Sequence, residues 1–264
     1  MNILRLSDLS PADVHAIWAR VTAPGSPLAG TVAWSFEGNG IRTRTAFLQA
    51  FRELGLAATE LPNLLKTDER ACDLAGYLDP FYDLYVVRES DHMRLADFAA
   101  ASRRPVINAM SSEGHPCEVL TDAYYVNTAL LPVESARICL WGPPTNVLRS
   151  WHELARVLGL SVHHVCEARF HEARANVLFT EATDIAADVV VTDSWPKGTD
   201  GAGPSLTEAH LAAMGSPKLL PTPPFSVGRE ISFDPVSYSG FAGYEQKKLL
   251  LPVQKAILRH AVEG

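Results

Sequence analysis

The chain has 264 residues, of which 47% are hydrophobic and 20% charged, and its formal net charge is −7 at pH 7. That length suits two ordinary domains, the composition is that of a folded chain, and the acidic balance excludes a general nucleic-acid binder while leaving room for a local basic pocket. The four cysteines, Cys72, Cys117, Cys139 and Cys166, form no C-x-x-C pair and no zinc spacing, so they read as reduced thiols, with no metal site and no cofactor expected.

Met1–Asp8 shows no apolar signal region, and no apolar run approaches a bilayer span, which points to a cytoplasmic protein without a membrane partner. Ser10-Pro11-Ala12-Asp13 supplies a cap, a proline at the first helical position and an acid, and predicts a helix to about Arg20. Gly30 precedes a strand over Thr31–Phe36, then a glycine and asparagine loop, then an amphipathic helix over Thr43–Leu54 stopped by Gly55. Further strands are predicted at Leu84–Val87, Pro105–Asn108, Ala136–Trp141, Ser161–Cys166, Ala187–Thr192 and Lys218–Leu220. Helices are predicted between them at Cys72–Leu78, Arg94–Ala101, Cys117–Thr128 and Leu148–Leu158. This alternation implies open parallel α/β sheets. Leu130-Leu131-Pro132-Val133 reads as the junction of two α/β halves, and Gln246–Val262 as a helix interrupted or started near Pro252. Glycine- and proline-rich loops at Pro196–Pro204 and Pro217–Gly228 are expected to close over a ligand.

The segment Ser35-Phe36-Glu37-Gly38-Asn39-Gly40-Ile41-Arg42-Thr43-Arg44-Thr45 is a strand, a tight loop and a helix start. Such a loop offers free backbone N–H groups and the positive end of the helix dipole. Gly38 and Gly40 allow close backbone approach, while Arg42 and Arg44 add forked charge suited to phosphate. The residues equally fit one solvated turn of a surface helix, and the loop is neither a Walker A nor a G-x-G-x-x-G motif.

F-E-x-x-x-x-R-T-R resembles the carbamoyl-phosphate loop of the aspartate/ornithine carbamoyltransferase family, which usually reads F-E-x-x-S-T-R-T-R. Val86-Val87-Arg88, Val106-Ile107-Asn108-Ala109 and His115-Pro116-Cys117-Glu118-Val119-Leu120-Thr121-Asp122 follow in the family's order. So do Ile138–Gly142, Asn146-Val147, Ser150-Trp151 and Ala187–Trp195. The resemblance covers nearly the whole chain and marks it as a divergent member. It implies two open parallel-sheet domains, with the C-terminal helix packing back on the first. Residues 1–130 plus 246–264 would bind carbamoyl phosphate, and residues 131–245 would bind the acceptor.

The resemblance also implies roles. Arg42, Arg88 and His115 would be catalytic, with Arg88 and His115 donating to the carbonyl oxygen as it gains charge. Gly38, Asn39, Gly40, Ile41, Arg42, Thr43, Arg88, His115, Glu118 and Leu220 would line the donor site. Asn146, Asp193, Lys218 and Leu219 would face the acceptor. Family members are usually trimers in which a loop enters the neighbour's site, so a homotrimer is expected with Lys66 as that loop's cation. The partners are then carbamoyl phosphate and a small amine.

Departures from the family pattern limit the analogy. Its serine and first threonine are replaced by Gly40 and Ile41, and its glutamine after H-P-C by Glu118. Lys218-Leu219-Leu220-Pro221 stands for its H-C-L-P, with the cis leucine–proline expected at Leu220-Pro221, and Leu250 stands for an arginine. These losses fall on groups that hold a free amino acid, so ornithine and aspartate are not the expected acceptors; an amine on a peptide or specialised metabolite is. Two other readings stay open: a non-catalytic relative, and a transferase with another activated phosphate donor and Glu118 as base. A nucleotide-dependent oxidoreductase fits poorly, because Trp141-Gly142-Pro143-Pro144-Thr145-Asn146 lacks the glycines of a dinucleotide turn. His163-His164 read as structural.

Overall fold

A computed structural model describes residues 1–23, 25–196 and 203–263. The chain divides into two compact units, Met1–Leu120 with Leu249–Gly264, and Thr121–Lys248. The division falls inside a helix, upstream of the 130–133 stretch.

The first unit holds helix α1 (Pro11–Thr22), strand β1 (Thr31–Phe36), α2 (Ile41–Leu54), β2 (Ala57–Glu60), α3 (Ala71–Leu78), β3 (Leu84–Arg88), α4 (His92–Ala101) and β4 (Val106–Met110). The start of α5 (Pro116–Tyr125) follows. Its sheet runs β2-β1-β3-β4, all parallel. Strands β1 and β3, and the edge strand β4 that Ile3 borders, are buried almost throughout, as parallel strands covered on both faces must be. Ser10 caps α1 reciprocally with Asp13, and Pro11 occupies the first turn. Phe47, Phe51 and Leu54 form the buried stripe of α2, each contributing on the order of 1.5–3 kcal/mol. The last helix, α9 (Leu250–Glu263), packs on α1 and α2, and the Met1 ammonium donates to Ala261 O at 2.9 Å. Both chain ends are therefore tied to one core.

The second unit continues α5 into a π-helical turn, Val126–Leu130, and then builds β5 (Ile138–Trp141), α6 (Asn146–Leu158), β6 (Val162–Val165), β7 (Val177–Thr180), β8 (Val189–Asp193), α7 (Glu208–Ala213), β9 (Lys218–Thr222) and α8 (Gly243–Lys247). Its sheet order is β7-β6-β5-β8-β9, again all parallel. Cys139, Trp141, Val190, Leu211 and Leu219 share one buried cluster.

Both sheets reverse strand order once, between β1 and β3 in the first unit and between β5 and β8 in the second. The crevice outside the carboxyl ends of the strands at such a switch point is where open α/β sheets bind ligands. Loop 37–40 and Arg88 flank the first switch point; Gly142–Asn146 and Asp193 flank the second.

Candidate functional site

In the first unit the chain leaves β1 at Phe36, which pairs with Arg88 at the end of β3. The Arg88 carbonyl accepts the Glu37 N–H at 2.9 Å, so the loop starts from a fixed point. Gly40 then caps α2 with φ 44° and ψ 32°, a left-handed conformation that favours glycine. The first N–H groups of α2 open onto this crevice with the positive end of the helix dipole. A register shift between Val87 and Arg88 re-aims the strand end, and the Arg88 side chain lies against Gly40. Arg42 stands beside it in the first turn of α2. Burial first, then the nearby Arg42, lowers the proton affinity of Arg88, while Glu37 opposes this. Among the described residues neither guanidinium has a hydrogen bond or an ion pair. Two neighbouring guanidiniums that no carboxylate ion-pairs, with Glu37 acting on Arg88 only through its charge, are suited to an anion.

Arg44 is committed elsewhere. Its guanidinium lies 4.9 Å from the Trp34 ring centroid and pairs with Glu60 at 2.9 Å. Thr43 is buried, and Ile41 is 67% exposed. Lys66 is tied within its own chain to Glu37 at 3.3 Å and to Glu89. It braces the loop after β3 and is not a loose cation.

His115 and Glu118 sit at the amino end of α5, both buried, with His115 Nε2 4.0 Å from Glu118 Oε2. The turn that delivers His115 is held from below. Asn108 Nδ2 donates to Leu4 O at 2.9 Å and to Ser111 Oγ at 3.0 Å. His92 Nδ1 lies 2.9 Å from the same hydroxyl, and Arg5 Nε donates to His92 Nε2 at 3.0 Å. That bond makes Nε2 the acceptor, so His92 carries its proton on Nδ1 and gives it to Ser111. Burial, then Arg5, keeps His92 below the usual histidine range.

In the second unit Thr145 caps α6, accepting the Leu148 N–H at 3.3 Å, and so places Asn146 in the first turn. Asp193 ends β8, its carboxylate accepting the Ser194 N–H at 2.8 Å. Thr192 Oγ1 donates to Trp141 O at 3.1 Å and clamps the two switch-point strands. A side chain at Gly142 would put Cβ 2.6 Å from Trp195 Nε1, so the ring of Trp195 seals this end of the sheet only over glycine. Asn146 and Asp193 thus share the carboxyl edge of one sheet. Among the described residues no cluster suited to a metal ion occurs.

The family pattern described as the carbamoyl-P binding domain of aspartate/ornithine carbamoyltransferase matches residues 2–128. The chain is 32% identical over 206 residues to the ornithine carbamoyltransferase of Rhizorhabdus wittichii, covering 72% of this chain and 65% of that relative. It is 24% identical to that of Bordetella pertussis over an alignment covering 100% of this chain and 95% of the relative. The chain belongs to the aspartate/ornithine carbamoyltransferase family. Among solved structures, the Pyrococcus furiosus ornithine carbamoyltransferase superposes with a TM-score of 0.91 at 20% identity, over 100% of this chain and 97% of that one. The anabolic enzyme of Campylobacter jejuni gives 0.86 at 25%, over 99% of each. The chain is by family a carbamoyltransferase, with the two parallel sheets expected of one.

Against this carbamoyltransferase frame, the structure brings Gly38, Asn39, Gly40, Arg42 and Arg88 to the carboxyl end of the first sheet, and Asn146 with Asp193 to that of the second. It corrects three expected site residues. Lys218 pairs with Val189 at the amino end of the second sheet, whereas Asp193 pairs with Thr222 at the carboxyl end. At about 3.3 Å per residue, Lys218 is roughly 13 Å from the acceptor edge. Leu219 and Leu220, 0% and 3% exposed, lie inside the sheet and belong to the core. The cis peptide expected at Leu220–Pro221 is not there: both residues are in the parallel ladder, and the cis peptide among the described residues is Pro223–Pro224. Thr222, 7% exposed and opposite Asp193, is the strand-end residue that sequence reasoning missed. The Pro223-Pro224 pair just beyond it was the available signal for where the strand stops. Of the Pro196–Pro204 loop expected to close over a ligand, residues 197–202 lie outside the described residues.

Proposed function

We propose that the chain transfers a carbamoyl group from carbamoyl phosphate to an amine other than free ornithine or aspartate. The observation that carries the donor half is the unpaired Arg42 and Arg88 guanidiniums beside the amino end of α2. In this reading the first unit holds carbamoyl phosphate, with Arg42, Thr43 and the backbone around Gly38, Asn39, Gly40 and Ile41 on the phosphate. Arg88 and His115 face the carbonyl oxygen. The amine nitrogen attacks the carbonyl carbon, the C–O bond to phosphate breaks, phosphate leaves, and the nitrogen loses a proton. Negative charge grows on the carbonyl oxygen during attack, and fixed donors there speed the step without reorganising. Positioning supplies the remainder. Glu118, beside His115, accepts from the carbamoyl NH2.

The second unit supplies the acceptor contacts, with Asn146 and Asp193 as the polar groups. The named relatives act on ornithine. The narrower acceptor here is supported by Thr222 at the end of β9 and by the buried, apolar Leu250 at the start of α9. Lys66 acts on the loop of its own chain through Glu37 and Glu89.

Calorimetry with phosphate and carbamoyl phosphate tests the donor half; binding of neither favours the non-catalytic reading. A screen with labelled carbamoyl phosphate against free amino acids and amine-bearing peptides tests the acceptor half. Label is expected in a peptide or a substituted amine. Brisk turnover of ornithine overturns that half alone.

A further inference from the structure

We propose that the second unit carries a subsite for a second ammonium group of the acceptor, set in a cleft beyond β5, β6 and β7, and that the reacting amine therefore belongs to an extended, peptide-like molecule. The proposal rests on the carbamoyl-transfer reading above and names a substrate class for it. The cleft is floored by Trp141, Gly142, Val165 and Pro204 and rimmed by Glu167 and Glu181, and it measures about 310 Å³ with its open mouth included. That is the low end for a small-molecule site, room for one end of a ligand and not for the whole. In the sheet order β7-β6-β5-β8-β9, Asp193 ends β8 while Glu181 directly follows β7. Three strand spacings separate the two strands, roughly 14 Å at about 4.8 Å each. A free amino acid does not span that edge.

Two independent features equip the cleft for such a group. The first is charge. Glu167 pairs with Arg169 and the nearby Glu172 with Arg174, whereas Glu181 has no cationic partner among the described residues. Its Oε1 accepts the Ala168 N–H at 3.1 Å, which fixes the carboxylate at the rim and leaves its charge uncompensated. Burial first, then the charges of Glu181 and Glu167, push the neighbouring Cys166 thiol up to about 12, as surroundings that favour a cation do. The second feature is an orphan donor. Trp195 is 5% exposed, and its buried Nε1–H has no hydrogen-bond partner. Nε1 stands 2.6 Å from where a Cβ on Gly142 would be, and Gly142 belongs to the cleft floor. Buried polar groups in native proteins are nearly always paired, so an unpaired donor beside a cleft calls for an acceptor from outside the chain. A carbonyl oxygen next to the ammonium group supplies it. Asp193, the Trp195 N–H and Glu181 thus follow one another along a single sheet edge, at the end of β8, over the end of β5 and after β7. That order of acceptor, donor and acceptor fits an amine, a carbonyl and an ammonium group on one chain.

The full chain, isotopically labelled on nitrogen, is titrated with glycinamide, ethylamine and acetamide while the indole N–H signals of its five tryptophans are followed by NMR. Trp195→Phe removes an N–H that has no partner to lose, and it identifies the Trp195 signal by its disappearance. Glycinamide carries both an ammonium group and a carbonyl, and it is expected to shift that signal. Ethylamine is expected to compete with glycinamide without causing the shift. Acetamide lacks the charge and is expected to bind at least about tenfold more weakly. Glu181→Gln keeps an acceptor for the Ala168 N–H but loses the charge, and is expected to weaken glycinamide roughly tenfold. Glu181 is exposed, so this variant decides should Trp195→Phe not fold. A Trp195 signal that glycinamide does not move overturns the proposal. So does acetamide binding as tightly as glycinamide, or unchanged glycinamide binding by Glu181→Gln. Inorganic phosphate titrated into the same sample reads the donor half separately: its failure to bind overturns the carbamoyl-phosphate reading, whatever the glycinamide shifts show.

Discussion

Glu37 Oε2 accepts the Ser90 backbone N–H at 2.7 Å, which ties the loop after β1 to the loop after β3. The other carboxylate oxygen faces Lys66 Nζ at 3.3 Å. The Ser90 hydrogen bonds first, and Lys66 after them, pull the Glu37 carboxyl down to about 2. A carboxyl depressed by folding stabilises above its unfolded pKa, near 4.5, and loses that contribution as pH falls from there towards 2. Glu37→Gln is expected to reduce the fall of melting temperature across that window. Its cost at pH 7 stays within about 1 kcal/mol, because a half-exposed ion pair is screened. An unchanged acid slope counts against this linkage.

The turn carrying His115 depends on Asn108, which is fully buried and donates to Leu4 O and Ser111 Oγ. Asn108→Ala leaves those acceptors without their partner and is expected to cost roughly 1–3 kcal/mol. His115 then loses its fixed position while the Arg42 and Arg88 pair does not. Turnover should fall more than phosphate affinity, as seen by comparing kcat with calorimetric Kd. Equal losses in both would place Asn108 in general stability alone.

Three of the four thiols are inert by burial. Burial pushes Cys117, Cys139 and Cys166 up to about 12, while Cys72 is exposed. A thiol reagent at pH 8 should label Cys72 within minutes and the other three only after denaturation. Rapid labelling of more than one cysteine in the native protein would contradict this burial pattern.

The phosphate-facing part of the site was legible because it is local. Phe36, Gly38, Gly40 and Arg42 lie within one strand, loop and helix start, and apolar runs marked β1, β3, β4, β5 and β8 closely. What stayed hidden depends on contacts distant in sequence. β2 is exposed along its whole length, so Ala57-Ala58-Thr59-Glu60 carries no buried pattern. Arg44 read as a phosphate cation but spends its charge on Trp34 and Glu60, which only sheet pairing brings near. Lys218 was misplaced because a short dipeptide match fixed the register of β9, and register decides which end of a sheet a residue reaches.

Beneath the acceptor edge, His164 Nε2–H donates to Gly142 O at 2.7 Å, which leaves His164 Nδ1 to accept from His152 Nε2–H at 2.9 Å. Both rings are therefore neutral in the folded protein. Burial, reinforced for His152 by His164, holds both well below the usual histidine range. The unfolded chain takes up protons below about pH 6.5, which the folded chain refuses. Stability is thus complete above that pH and falls as pH drops, by about 1.4 kcal/mol per pH unit for each such histidine. Urea unfolding of the wild type between pH 6 and pH 4.5 should show this steep acid loss. His152→Leu removes one of the two protons and is expected to lower the slope by about 1.4 kcal/mol per pH unit, even though it leaves His164 Nδ1 without its donor and weakens the protein at neutral pH. A variant destabilised equally at every pH would show that the imidazoles are charged in the folded state and that the hydrogen-bond directions assigned to this pair are wrong.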